Sequence, residues 1–136
     1  MSINRAGIIG DKSVLPWHSP EDLKFFKSMT LGTRCLVGRT TYEALPGLPD
    51  RELIVVGKGY LSLEEALEMK PDWVIGGKSI YEQTLELCDE FHISIIENTA
   101  KGDTHFDLQK IWSTIYRSSQ NKQFHVRYFQ GKVLTP

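Results

Sequence analysis

Residues 73–81 read Trp-Val-Ile-Gly-Gly-Lys-Ser-Ile-Tyr, and this stretch decides the fold class. The aromatic and β-branched residues at 73–75 favour a buried strand, which ends at the two glycines. A helical pattern over 78–87 follows directly. A strand, a glycine turn and a helix in this order are typical of α/β proteins with a largely parallel sheet.

The same alternation extends along most of the chain. Short apolar runs at 36–37, 53–56 and 91–96 predict three more strands, and a glycine follows each of the first two. Between these runs lie helical segments that begin with the Ser/Thr-x-x-Asp/Glu spacing of a capping box. The residues that open these boxes are Ser19, Thr40 and Ser62.

The C-terminal segment has a different pattern. Residues 123–128 alternate weakly, and Gln130-Gly131 predicts a turn before the short apolar run at 132–134. We therefore expect an antiparallel C-terminal edge on a three-layer α/β fold, whose mixed, mostly parallel central sheet carries flanking helices. All of residues 1–136 are expected to form one domain.

Composition excludes several classes of protein. The net charge of −1 lacks the basic footprint of a nucleic-acid module, so no nucleic-acid partner is expected. No apolar run approaches the roughly 18 residues that would cross a bilayer, so no membrane partner is expected either. Cys35 and Cys88 are far apart, and we expect a reduced, cytoplasmic protein. The four histidines form no ligand motif in the sequence, so no metal site is predicted.

Asp22 is the first candidate for a catalytic residue. It opens a helix whose apolar residues Phe25, Phe26 and Met29 follow at spacings that place them on the same helix face as Asp22. A carboxyl group at the lip of an apolar cleft can donate or relay a proton. The alternative is that Asp22 only closes a capping box with Ser19, and both roles are compatible because a carboxylate has two oxygens.

Two glycine turns are candidates for ligand binding. Gly38-Arg39-Thr40-Thr41 lies between a strand and a helix, where backbone N–H groups and an arginine favour phosphate. Gly76-Gly77 lies at a strand end, where the backbone can approach a ligand closely. Each turn alone is equally compatible with an ordinary strand-to-helix connection.

Taken in order, these segments resemble dihydrofolate reductase. The segments that carry the resemblance are Ile9-Gly10, Leu15-Pro16-Trp17, Asp22 to Lys27, Thr30, Gly38 to Glu43, Leu48 to Arg51, Ile75-Gly76-Gly77 with Ile80-Tyr81, and Gly102 to Phe106. The order and spacing of the motifs are specific, although each motif alone is common. The resemblance implies reduction of 7,8-dihydrofolate to tetrahydrofolate with NADPH as cofactor, and antifolates as further ligands.

The resemblance also implies roles for individual residues. Asp22 corresponds to the acid that binds the pterin and assists its protonation, and Ser94 to a threonine that supports this acid. Trp17 is the third implied catalytic residue, although on its own evidence it is a core residue. The remaining implied substrate residues are Leu23, Phe26, Lys27, Leu45, Leu48, Arg51 and Ile75, of which Arg51 corresponds to the partner of the glutamate carboxylate. The implied cofactor residues are Ile9, Gly10, Leu15, Gly38, Arg39, Thr40, Thr41, Gly57, Lys58, Gly76, Gly77, Lys78, Ser79, Ile80 and Tyr81. The Gly76-Gly77 peptide is expected to be cis.

Two departures from the family pattern keep alternatives open. The first strand is short, and the connection between Val56 and Trp73 is abbreviated. A weakly catalytic or non-catalytic binding module is therefore one alternative, and a reductase of the riboflavin-pathway type on the same fold is another. Leu15-Pro16-Trp17 together with Asp22 and Arg51 favours the folate reductase, which we expect to be a monomer.

Overall fold

The computed structural model describes residues 1–117 and 121–134. Ten strands and five helices occur in these ranges. The strands are β1 (Ser2–Asn4), β2 (Ile8–Gly10), β3 (Trp17–His18), β4 (Arg34–Gly38), β5 (Glu52–Val56), β6 (Trp73–Val74), β7 (Glu90–Glu97), β8 (Thr104–His105), β9 (Gln123–Gln130) and β10 (Lys132–Val133). The helices are α1 (Pro20–Thr30), α2 (Arg39–Ala44), α3 (Leu63–Glu68), α4 (Lys78–Thr84) and α5 (Gln109–Arg117), and a short 3-10 turn (Leu85–Leu87) follows α4.

One half of the structure is a parallel sheet in the order β5-β4-β6. Strand β4 is central, and its residues Cys35, Leu36 and Val37 are fully buried, as the continuous apolar run predicted. All three strands run in the same direction, so their carboxyl ends meet at one edge. This edge carries Gly38, Gly57 and the Gly76-Gly77 pair.

The other half is a parallel sheet in the order β1-β7-β9. Ser2 pairs with Ser94 in the register of β1 and β7. The expectation of an antiparallel C-terminal edge is wrong for β9, which runs parallel to β7 along its whole length. The reason is that α5 lies between β7 and β9 and forms a crossover, which returns the chain to its starting edge before the next strand begins.

Among the strands of the described ranges, antiparallel pairing occurs in two short ladders. Strand β2 pairs with β8, and β10 pairs with β3 rather than with β9. The run at 132–134 therefore does form an antiparallel contact, but its partner is the Trp17–His18 segment next to α1. The mostly parallel α/β architecture is confirmed, with the parallel strands divided between two three-stranded sheets.

Serine side chains cap two of the three helices whose starts the sequence predicted. The Ser62 hydroxyl accepts a hydrogen bond from the Glu65 amide, and the Glu65 carboxylate accepts one from the Ser62 amide, which is the predicted capping box. The cap predicted at Thr40 is wrong by two residues, because α2 begins at Arg39 and its cap is Gly38, which has no side chain. No helix in the described ranges combines the length and apolar character needed to cross a membrane.

Candidate active site

A cavity of about 1860 Å³ extends from the carboxyl edge of the β5-β4-β6 sheet to α1 and β7. Its size exceeds the roughly 300–1,000 Å³ of a typical small-molecule pocket. Glycines 38, 57, 76 and 77 lie at one end. Asp22 on α1 and Ser94 on β7 line the other part of the cavity.

The structure brings nearly all of the implied site residues to this cavity. All fifteen implied cofactor residues line it, as do Trp17 and seven of the nine implied substrate residues. The lining substrate residues are Asp22, Leu23, Phe26, Leu45, Leu48, Ile75 and Ser94. Lys27 is exposed and does not line the cavity, and neither does Arg51.

Asp22 is placed by the first turn of α1. The Ser19 hydroxyl caps the helix by accepting a hydrogen bond from the Asp22 amide, at 3.4 Å. The side chain of Asp22 is buried, with 5% of the residue exposed, and it lines the cavity. Capping uses only the amide of Asp22, so its carboxylate remains free for other partners.

That carboxylate accepts a hydrogen bond from the hydroxyl of Ser2. Within residues 1–117 and 121–134, no other side chain donates to it. The resemblance pointed to Ser94 as the supporting hydroxyl, and here the structure differs. Ser94 is buried beside Ser2 in the register of β1 and β7, but no hydrogen bond joins Ser94 to Asp22. No local sequence pattern marks Ser2, because its place beside Ser94 depends on the register of β1 and β7.

Trp17 has a buried polar atom that lacks a partner. The residue is 4% exposed and packs with Ile8, Ile96 and Ala100. Its indole Nε1 has no hydrogen-bond partner among the described residues. Buried donors are rarely left unsatisfied. Because Trp17 lines the cavity, a ligand or a water molecule held there would accept the hydrogen bond from its indole N–H.

Tyr81 is a second polar side chain near Asp22. Burial raises the pKa of the Tyr81 hydroxyl above its ordinary value, and the negative charge of Asp22 adds to the rise. The hydroxyl therefore keeps its proton near neutral pH and can act as a hydrogen-bond donor. The ring packs edge-on against Phe106, with 6.1 Å between the centroids.

The glycine edge is tightly built. The Gly38 amide donates to the Gly76 carbonyl at 2.8 Å, and the Gly76-Gly77 peptide is cis, as expected. A Cβ at Gly77 would lie 2.8 Å from Thr41 Oγ1, and one at Gly38 would lie 2.9 Å from the Ile80 side chain. No side chain fits at either position without displacement of its neighbours.

Cationic side chains surround the same edge. Arg39 is exposed at the start of α2, and a Cβ at Gly57 would lie 2.8 Å from the Cβ of Arg39. The glycine at position 57 therefore allows β5 and α2 to approach each other. Lys58 and Lys78 are exposed and line the cavity as well. These three cations can pair with phosphate groups.

Arg51 lies behind the opposite rim. Its Nε donates to the Pro49 carbonyl at 3.1 Å, and Nη1 lies 3.4 Å from the hydroxyl of Thr30, a residue that lines the cavity. Nη2 has no hydrogen-bond partner among the described residues. The guanidinium is therefore close to the cavity, although it does not form part of the wall.

Comparisons with known proteins identify the family of the chain. The dihydrofolate reductase family model matches residues 1–130. A dihydrofolate reductase from Mycoplasma genitalium is 30% identical over 152 residues, which cover 96% of this chain and 95% of that relative. Dihydrofolate reductase type 9 from Escherichia coli is 33% identical over 140 residues, covering 85% of this chain and 79% of that relative.

A solved structure is similar as well. It is the dihydrofolate reductase from Enterococcus faecalis complexed with NADP(H) and RAB-propyl, with a TM-score of 0.69 and 32% identity. The similarity covers 78% of this chain and 73% of that chain. The chain described here belongs to the dihydrofolate reductase family.

Proposed function

We propose that this chain catalyses the NADPH-dependent reduction of 7,8-dihydrofolate to 5,6,7,8-tetrahydrofolate. One observation carries the proposal: a single cavity joins the glycine edge of three parallel strands to a buried carboxylate on α1. Family membership adds the substrate class. NADPH, when bound, supplies the hydride that C6 of the pterin receives.

The residues at the glycine edge fit a dinucleotide. Gly38, Gly76 and Gly77 leave room that a Cβ would fill, so backbone groups can approach a pyrophosphate. Arg39 and Lys58 are placed to pair with a ribose phosphate, and arginine does so with two parallel hydrogen bonds. Ligands of parallel α/β sheets bind outside the carboxyl ends of the strands, which is where these residues lie.

Asp22 is the residue that we assign to the pterin. Its carboxylate binds the pterin amino group and ring N3, and it assists protonation at N5 through water. Ser2 holds the carboxylate in place through its hydroxyl. The indole Nε1 of Trp17 provides the unpaired donor that a water molecule in this path requires.

Apolar and cationic residues hold the rest of the substrate. Leu23, Phe26, Leu45 and Leu48 line the cavity and form an apolar clamp on the pterin and benzoyl rings. Arg51 binds the glutamate α-carboxylate after its side chain leaves Thr30, and Lys27 is a second cation near this tail. The remaining predicted partners of the two ligands are Ile75 and Ser94 for substrate, and Ile9, Gly10, Leu15, Thr40, Thr41, Lys78, Ser79, Ile80 and Tyr81 for cofactor.

Absorbance of NADPH tests this function. We expect oxidation that requires dihydrofolate and stops when an antifolate is added. Binding of NADPH without any dihydrofolate-dependent oxidation would instead identify a binding module. Oxidation with a ribosylamino-pyrimidine but not with dihydrofolate would identify a reductase of the riboflavin-pathway type.

The proposal includes a monomeric enzyme in the cytoplasm. The net charge of −1 lacks the excess of basic residues that is typical of nucleic-acid modules, which supports small molecules as the partners. Sedimentation equilibrium tests the oligomeric state. A mass close to 15.5 kDa is expected, and a mass of twice that value would contradict it.

A further inference from the structure

Three potential metal ligands meet on one face of the β7-β9 pair. Glu90 and His92 lie two residues apart on β7, so their side chains point to the same face. His125 on β9 is the register partner of His92. The ligand atoms of these three residues all lie within 4.8 Å of one another.

One carboxylate oxygen lies near both imidazoles. Glu90 Oε2 lies 3.1 Å from Nε2 of His92 and 3.9 Å from Nε2 of His125. The imidazole rings are stacked, with 4.4 Å between the centroids and 9° between the planes. Both Nε2 atoms therefore lie within 4 Å of the same Glu90 oxygen.

His125 supplies the observation that points to a ligand. Its Nε2 atom is buried and has no hydrogen-bond partner among the described residues, whereas 39% of the side chain as a whole is exposed. A buried polar atom of this kind is normally satisfied by a water molecule or an ion. The atom faces a carboxylate at a distance too long for a direct hydrogen bond, so a bridging cation would satisfy both groups.

From this arrangement we propose that Glu90, His92 and His125 form a binding site for Zn²⁺ or a divalent transition metal of similar preference. Two neutral imidazoles and one carboxylate, with a fourth position open to water, are a ligand set that Zn²⁺ takes. Hard cations such as Mg²⁺ prefer oxygen ligands alone and do not compete here. Backbone placement on two paired strands limits how far the ligands can separate.

Arg127 and Trp73 are the other side chains against the cluster. Arg127 Nη1 lies 3.4 Å from Nδ1 of His92, and its guanidinium stacks on the Phe25 ring. Ligation through Nε2 of His92 places the ring proton on Nδ1, so Arg127 gives up this contact when a metal binds. Trp73 packs edge-on against His92, with 5.3 Å between the ring centroids, and offers no ligand.

Titration with Co²⁺ tests the site, because tetrahedral Co²⁺ gives strong visible absorption and is displaced by Zn²⁺. We expect one equivalent of Co²⁺ to bind the full chain and to be released by Zn²⁺ but not by Mg²⁺. His125→Gln and Glu90→Gln should each weaken binding at least about 100-fold, since they remove ligands rather than the groups that orient them. His105→Gln, on β8, is the matched control and should leave binding unchanged.

Two further measurements keep the test decisive. Glu90 is half-exposed, so Glu90→Gln should fold even if His125→Gln does not, and far-UV circular dichroism checks both variants. Arg127→Gln should bind Co²⁺ at least as tightly as the parent chain, because it removes a nearby positive charge. Undiminished binding in Glu90→Gln, or no stoichiometric binding by the parent chain, would overturn the proposal.

Discussion

Replacement of Ser2 by alanine distinguishes the roles of Ser2 and Ser94, the two serines that lie beside the proposed acid Asp22. Ser2 makes the only hydrogen bond to the Asp22 carboxylate within the described ranges, whereas Ser94 makes none. A hydrogen bond to a buried charged group contributes about 1.5–3 kcal/mol, which corresponds to a factor of roughly 10 to 150. Water that replaces the hydroxyl recovers part of this, so we expect a loss of about tenfold in kcat/KM for dihydrofolate.

The assay compares Ser2→Ala with Ser94→Ala under identical conditions. Steady-state NADPH oxidation gives kcat/KM for dihydrofolate, and fluorescence titration gives the affinity for NADPH. We expect the larger loss in Ser2→Ala, with NADPH affinity unchanged and activity partly restored in Ser2→Thr. A larger loss in Ser94→Ala would refute the reasoning and return the supporting role to Ser94.

Four further predictions concern charged groups. Asp22→Asn should lower the rate of hydride transfer by about 10²–10⁴-fold near neutral pH while NADPH still binds, and the deficit in single-turnover rates should narrow as pH falls. Arg39→Ala should reduce the preference for NADPH over NADH, a preference that itself shrinks at high salt in fluorescence titrations. Arg51→Lys should raise KM for dihydrofolate strongly but leave a pterin that lacks the glutamate almost unaffected. Burial lowers the pKa of His92 below its ordinary 6.5. The unfolded chain therefore takes up a proton at higher pH than the folded chain, and the free energy of unfolding falls as pH drops below about 6.5. In thermal melts with a chelator present, His92→Gln should show a smaller decrease of melting temperature over this pH range.

Strands with continuous apolar runs could be predicted from the sequence because burial on both faces selects such residues. Cys35, Leu36 and Val37 are fully buried at the centre of one sheet, and the capping box at Ser62 is present. These features depend on residues that are close together in the chain. They can therefore be predicted from the sequence without knowledge of the fold.

Features that depend on distant residues could not be predicted in the same way. The direction of β9 follows from the crossover through α5. We did not predict this helix from the sequence, although its buried residues Ile111 and Thr114 are spaced as one helical face. The bond from Ser2 to Asp22 requires the register of β1 and β7 to bring a short first strand beside α1. Most implied site residues line one cavity, because the family motifs carry their positions.

The central claim is that one cavity holds both ligands so that hydride passes directly from the nicotinamide to the pterin. NADPH deuterated at nicotinamide C4 tests it most directly, with the product examined by NMR after a single turnover. The account predicts that the deuterium of the transferred position appears at C6 of tetrahydrofolate, in an amount equal to the NADPH oxidised. Oxidation of the cofactor without deuterium at C6, or no oxidation by a folded chain that binds both ligands, would contradict it.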